Sequence, residues 1–174
     1  MEQSVSHRNT FDPERIIRTL ADYGVKYVLI GALAARLQGF PRVTSDADIT
    51  PKFEEANIKS LAAALRELKA RVYTDHHPEG IGFDCSAKNL MQAEMWNLVT
   101  SAGRIDIAFN PAGTSGYDDL IEEAVKFDVF GTIVYAASLG DIIRSKKASD
   151  RPQDRQDVIL LNEMIQKMDK GKSE

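Results

Sequence analysis

Residues Arg42-Val43-Thr44-Ser45-Asp46-Ala47-Asp48-Ile49 bring two carboxylates two positions apart. If the stretch is extended, Arg42, Thr44, Asp46 and Asp48 share one polar face and Val43, Ser45, Ala47 and Ile49 the other. The two aspartates would then stand roughly 6–7 Å apart at Cα, from a rise of about 3.3 Å per residue. Unit charges about 6 Å apart repel by roughly 3 kcal/mol at an effective dielectric near 20, and by under about 1 kcal/mol in water. A strand holding both against a folded core therefore needs a cation or full solvent exposure. Carboxylates closing on Mg²⁺ beside a phosphate substrate are the chemistry that fits such a pair.

Three further features bear on that chemistry. Gly31-Ala32 falls between an apolar run and a helical one, where a glycine lets a phosphate approach the backbone and free N–H groups favour an anion. The plainer alternative is a glycine that merely turns the chain. Asp106, between Ile105 and Ile107, alternates away from an apolar face, either as the polar side of a hairpin or as a third carboxylate able to ligate a metal or take a hydroxyl proton. The run from Asp141 to Asp157 gathers Arg144, Lys146, Lys147, Arg151 and Arg155. Such cations can hold a triphosphate and its departing pyrophosphate. They can equally form a solvated helix face paired with Asp154 and Asp157.

The elements that would position these groups follow from punctuation and periodicity. Asp12-Pro13 starts a helix that Gly24 stops. Tyr27–Ile30 reads as a buried strand, Ala32–Gln38 as a short helix closed by Gly39, and Arg42–Ile49 as a strand ended by Pro51. Phe53–Ala70 has Ile58, Leu61, Leu65 and Leu68 at helical spacing. Arg71–Tyr73 is a short strand, and His76–Gly82 a loop or distorted edge. Glu94–Thr100 and Arg104–Phe109 form a hairpin through Ser101-Ala102-Gly103. Tyr117–Ala124 reads as a helix, Val125–Val129 and Thr132–Tyr135 as strands around Gly131. Ser138 caps a helix to about Ser149, and Pro152 opens an amphipathic helix through Met168. Helices and strands interleave, so the expected class is α/β (α+β), a mixed sheet flanked by helices with a C-terminal helical segment.

With 174 residues, 43% of them hydrophobic, the chain is expected to form one domain over 11–169, between a flexible 1–10 and a tail at 170–174. No apolar run approaches the roughly 20 residues of a membrane span, so no membrane partner is expected. One cysteine, Cys85, rules out an internal disulfide and fits a cytoplasmic setting. A net charge of −4 excludes a globally basic nucleic-acid surface but not a local basic patch. His76-His77 lacks further ligands at metal-binding spacing. Cys85 lacks a recognisable base, and Trp96 reads as packing.

Strand, Gly31-Ala32, spacer, Asp46-x-Asp48, later strand aspartate and helical Lys146 come in an order that resembles the DNA polymerase β-like nucleotidyltransferase superfamily. Ile30-Gly31-Ala32 through Arg42-x-Thr44-x-Asp46-x-Asp48-Ile49 is most similar to its minimal bacterial branch, which includes the AbiEii-type toxins of toxin–antitoxin systems. Lys146…Arg151-Pro152-x-Asp154-x-x-Asp157 resembles that branch's C-terminal motif. The resemblance implies a nucleotidyltransferase fold and transfer of NMP from an NTP to an acceptor hydroxyl. It implies Mg²⁺ or Mn²⁺ on Asp46, Asp48 and Asp106. Gly31, Ala32, Arg42, Thr44, Lys146 and Arg151 would face the nucleotide, with Asp154 or Asp157 orienting Lys146 or Arg151. It points to a toxin-type enzyme acting on tRNA, with a cognate antitoxin. A protein or antibiotic acceptor, or a catalytically silent regulatory module, is the alternative. Ala32 departs from the Ser or second Gly of many members, so a hydroxyl to the phosphate is missing.

Overall fold

The structure, a computed structural model, describes residues 10–173; the expectation for residues 1–9 falls outside them, as does Glu174. In chain order the elements are α1 (Pro13–Asp22), β1 (Tyr27–Ile30), α2 (Gly31–Leu37), β2 (Asp46–Pro51), α3 (Glu55–Glu67), β3 (Arg71–Thr74), β4 (His77–Ile81) and α4 (Ala87–Leu90). They continue with β5 (Met95–Thr100), β6 (Gly103–Ala108), α5 (Tyr117–Leu120), β7 (Val125–Val129), β8 (Thr132–Ala136), α6 (Leu139–Ser149) and α7 (Pro152–Gly171). Among the described residues, the eight strands join one sheet in the order β4-β3-β5-β6-β2-β1-β8-β7. The β2–β6 and β1–β8 pairs are parallel and the rest antiparallel, so this is the mixed α/β class expected.

Strand alternation sets the two faces of the sheet. Ala47, Ile49, Leu98, Ile105 and Ile107 are fully buried and join Ile16 and Leu20 of α1 and Ile58, Leu61 and Leu65 of α3 in one core. Their neighbours in sequence, Asp46, Asp48 and Asp106, point the other way and stay partly exposed. Local signals start several elements as expected. Asp12 Oδ1 accepts from Arg15 N–H at α1, and Ser138 Oγ accepts from Asp141 N–H at α6. A Pro occupies the first turn of both α1 and α7.

Several boundaries differ from the sequence expectation. The strand bearing the aspartates begins at Asp46, not Arg42. Thr44 Oγ1 donates to Asp46 O at 2.9 Å, a local turn that competes with extended pairing. His77–Ile81 is an edge strand, where Pro78 is tolerated because an edge position need not donate, and its pairing with β3 carries a bulge. The helix at Tyr117 ends at Leu120, and the last helix runs past Met168 to Gly171, into the stretch read as a tail.

Candidate functional site

Asp46 and Asp48 share one face of β2, and the parallel pairing with β6 sets Asp48 opposite Asp106 and Asp46 opposite Arg104. One oxygen from each of the three aspartates lies within 4.8 Å of the others. Asp48 also pairs with Ile30 on β1, which brings the next residue, Gly31, against its carboxylate. Gly31 has φ +68, and a Cβ there would stand 2.5 Å from Asp48 Oδ2. Only glycine serves at that position, because it permits both the left-handed backbone and the close approach.

The electrostatics agree with the geometry. Burial, with Asp46 and Asp106 beside it, pushes Asp48 up to about 7, although Lys146 and Arg104 pull the other way. Burial also raises Asp106, against the Arg104 guanidinium, whose Nη2 donates to Asp106 Oδ1 at 3.1 Å. A site that holds carboxylates this close, without enough cation of its own, is suited to a hard divalent ion. Oxygen donors alone, with no histidine or cysteine among them, are the donor set that hard divalent cations take.

Facing this acidic wall is the α6–α7 junction. Asp154 and Asp157 are both 2% exposed, in the first turns of α7. Lys146 Nζ donates to Asp157 Oδ2 at 2.9 Å and lies 3.7 Å from Asp154. Arg42 reaches across from the segment before β2 to the same Asp157 oxygen. Arg151 Nε donates to Asp154 Oδ2 at 2.9 Å, and Ser149 Oγ also donates to it. Burial works against Asp154, yet these donors hold it at about 2. Asp157 is likewise lowered, its burial outweighed by Lys146.

A cleft of about 620 Å³ is lined by Gly31, Ala32, Arg42, Asp46, Asp48, Asp106, Lys146, Arg151, Asp154 and Asp157. Thr44 is not among its lining residues; its hydroxyl bonds Asp46 Oδ1 at 3.2 Å. The basic run divides. Lys146 and Arg151 line the cleft, while Arg144 pairs with Asp119 and Asp141, and Arg155 with Asp150. Outside the cleft, His77 faces Glu79 at 3.4 Å and Trp96 Nε1 donates to Leu90 O.

Sequence reasoning misses several residues around the cleft. Asn97 pairs with Asp106 in the β5–β6 hairpin and lines the cleft with Met95. Counting back from the Ser101-Ala102-Gly103 turn gives that register, so the signal is present. Arg104 lies two residues before Asp106 on the same face, equally readable. Ser149 and Gln153 carry no local signal. Gln153 Nε2 donates to Asp157 Oδ1 at 3.1 Å.

No family model matches the chain, and no curated protein matches it. Among solved structures it is similar to a presumptive nucleotidyltransferase from Thermotoga maritima, at 17% identity and a TM-score of 0.48, over 93% of this chain and 99% of that one. Likeness at this level leaves the chemistry to be argued from the side chains.

Proposed function

We propose that the chain is a divalent-metal-dependent nucleotidyltransferase that moves an NMP from an NTP to an acceptor hydroxyl. The observation that carries this is the convergence of Asp46, Asp48 and Asp106 within 4.8 Å beside Gly31. Mg²⁺ or Mn²⁺ held by these three would supply positive charge at the reacting phosphate. The chain's own groups do the rest. Backbone N–H groups at Gly31 and Ala32 face the phosphates, and Lys146, Arg151 and Arg42 bind the departing pyrophosphate as charged donors. Asp106 takes the hydroxyl proton as the acceptor oxygen bonds to the α-phosphorus and the bond to pyrophosphate breaks. Asp154 and Asp157 hold the cations in place before the nucleotide arrives.

Incubation with each labelled NTP, Mg²⁺ or Mn²⁺ and bacterial extract tests the reading. Transfer is expected for wild type, and is expected to be on the order of 100- to 1,000-fold lower for Asp48→Asn. No transfer from any of the four nucleotides removes it. The finer reading is a toxin-type enzyme with tRNA as acceptor and a cognate antitoxin; it rests on the motif resemblance and on the local cations. Its test is growth arrest on expression, relieved by Asp48→Ala, with label recovered in the tRNA fraction.

Ala32 favours a second reading, a silent nucleotide-binding module, because the side chain offers no hydroxyl to a phosphate. Mg²⁺-dependent NTP binding without any product distinguishes it.

A further inference from the structure

The two edges of the sheet are built differently. At one, β4 carries Pro78, Glu79 and a bulge against β3, devices that stop a further strand from adding. At the other, β7 (Val125-Lys126-Phe127-Asp128-Val129) has neither Pro nor Gly and pairs with β8 in unbroken register over its whole length. Among the described residues no strand lies on its outer side. Apolar side chains gather there: Val125 and Phe130 are exposed, as are Ile133 (51%) and Tyr135 (40%) of β8. An edge left straight and apolar is a template for another chain.

The hairpin turn decides which backbone groups are free. Phe130 and Gly131, at φ +54 and +74, form a two-residue loop of the kind whose twist fits antiparallel strands. The pair that closes such a loop, Val129 and Thr132, is hydrogen-bonded, and by alternation so are Phe127 with Val134 and Val125 with Ala136. Lys126 and Asp128 therefore turn their N–H and C=O groups outward. Their side chains share one face with Tyr135 and Ile133, their partners in register. Among the described residues neither side chain has an ion-pair or hydrogen-bond partner.

A second β7 added antiparallel must match outward groups with outward groups. About a two-fold axis, the registers with the most overlap are then centred on Lys126, on Phe127 or on Asp128. The first sets lysine against lysine, and the last sets aspartate against aspartate. The middle one sets Lys126 opposite Asp128 of the other copy, and symmetry repeats the pair. Phe127 meets its own copy as a non-hydrogen-bonded pair, in which side chains approach more closely. Val125 meets Val129.

We infer that β7 is a self-association edge, at which two copies of this chain join β7 to β7 in the antiparallel register centred on Phe127. One sheet then runs through both copies. The contact uses the same strand on each copy, and the β4 edge is blunted, so association closes at a dimer rather than growing into a filament. The contact is short, at the low end of interface sizes, so the dimer forms in a concentration-dependent way. β7 stands three strands from β2, about 14 Å at ordinary strand spacing, which leaves both clefts open.

Sedimentation equilibrium from micromolar to millimolar protein reads the association, and hydrogen exchange reads the Lys126 and Asp128 amides. Wild type is expected to dimerise in that range, with those amides gaining protection as concentration rises. Lys126→Asp and Asp128→Lys each put like charges across the axis and are expected to raise the dimer Kd about tenfold. The double swap, Lys126→Asp with Asp128→Lys, restores opposite charges and is expected to return the Kd to within about threefold of wild type. Both side chains are exposed, so an unchanged melting temperature of dilute protein checks that each variant folds. Wild type that stays monomeric to millimolar concentration overturns the inference, as does a dimer indifferent to the single reversals or not recovered by the double swap. Amides protected at every concentration in a monomer give the edge to another segment of the same chain and also overturn it. Protection that appears only on adding cell extract gives the edge to a different protein, with the same consequence.

Discussion

The two walls of the cleft solve opposite electrostatic problems. On the β2–β6 wall, burial takes Asp48 out of water with Asp46 and Asp106 beside it, so Asp48 is pushed up to about 7. On the α6–α7 wall every charge lining the cleft has an opposite number, and Asp154 is held at about 2. The first wall holds partly buried carboxylates whose charge a bound cation would offset. The second is preorganised, its cations held by buried carboxylates that need those cations as much as the cations need them. Strain concentrated at one wall and satisfaction at the other is the arrangement expected where binding energy is to be used at a defined point.

Breaking the satisfied wall should have the largest effect. Asp157→Ala leaves Lys146 and Arg42 without their shared partner. We expect a loss of about 1.5–3 kcal/mol in urea denaturation, because Lys146 keeps only its longer contact with Asp154 and Arg42 is partly exposed. Asp157→Asn, which keeps shape and one acceptor oxygen, should lose less. Breaking the strained wall should act differently. Asp48→Asn is expected to lower transfer on the order of 100- to 1,000-fold, while the metal-free protein melts at a higher temperature than wild type. A lower melting temperature would show that the carboxylates are not in conflict.

The strain also has a pH signature. Asp48 binds a proton more tightly in the folded chain than in the unfolded one, so between about pH 4 and 7 the folded state holds more protons. Metal-free stability should therefore fall as pH rises through that window. Mg²⁺ competes with the proton, so its stabilisation should be greatest above pH 7, about 2.7 kcal/mol at a hundred times its Kd, and shrink toward pH 5. Thermal melts with and without Mg²⁺ across the range measure both trends. An unchanged Mg²⁺ increment at pH 5 and 8 would remove Asp48 as a ligand.

Gly31→Ala is expected to destabilise by about 1–2 kcal/mol from its left-handed backbone alone, and to displace Asp48 as well, which would appear as weakened Mg²⁺ binding. Arg155→Ala marks the lower end. Its pair with Asp150 is exposed and lies outside the cleft, so the urea midpoint should stay within error of wild type.

Much of the strained wall is legible in the order of residues alone. Asp46, Asp48 and Asp106 fall on polar faces because alternation along a strand is a local property, readable from neighbouring residues. The cations of the satisfied wall stand out as a group but cannot be sorted that way. Nothing local tells Lys146, which enters the cleft, from Arg144, which pairs with Asp119 and Asp141. Alternation credits Arg42 to the strand, yet the strand starts only at Asp46, after the Thr44 turn, and Arg42 turns to α7 instead. That β7 is an edge escapes a sequence reading because strand order depends on pairings made by elements elsewhere in the chain.

The amino-acid sequence by itself determined the order of elements, several of their caps and which side of each strand is polar, since these depend on residues within a turn or two of one another. The tertiary structure alone decided that β2 lies beside β6 in the register that sets Asp48 against Asp106, and that α7 delivers Asp157 to both Lys146 and Arg42. Those adjacencies arise from burying a shared apolar face, a balance summed over the whole core that no short stretch of residues encodes.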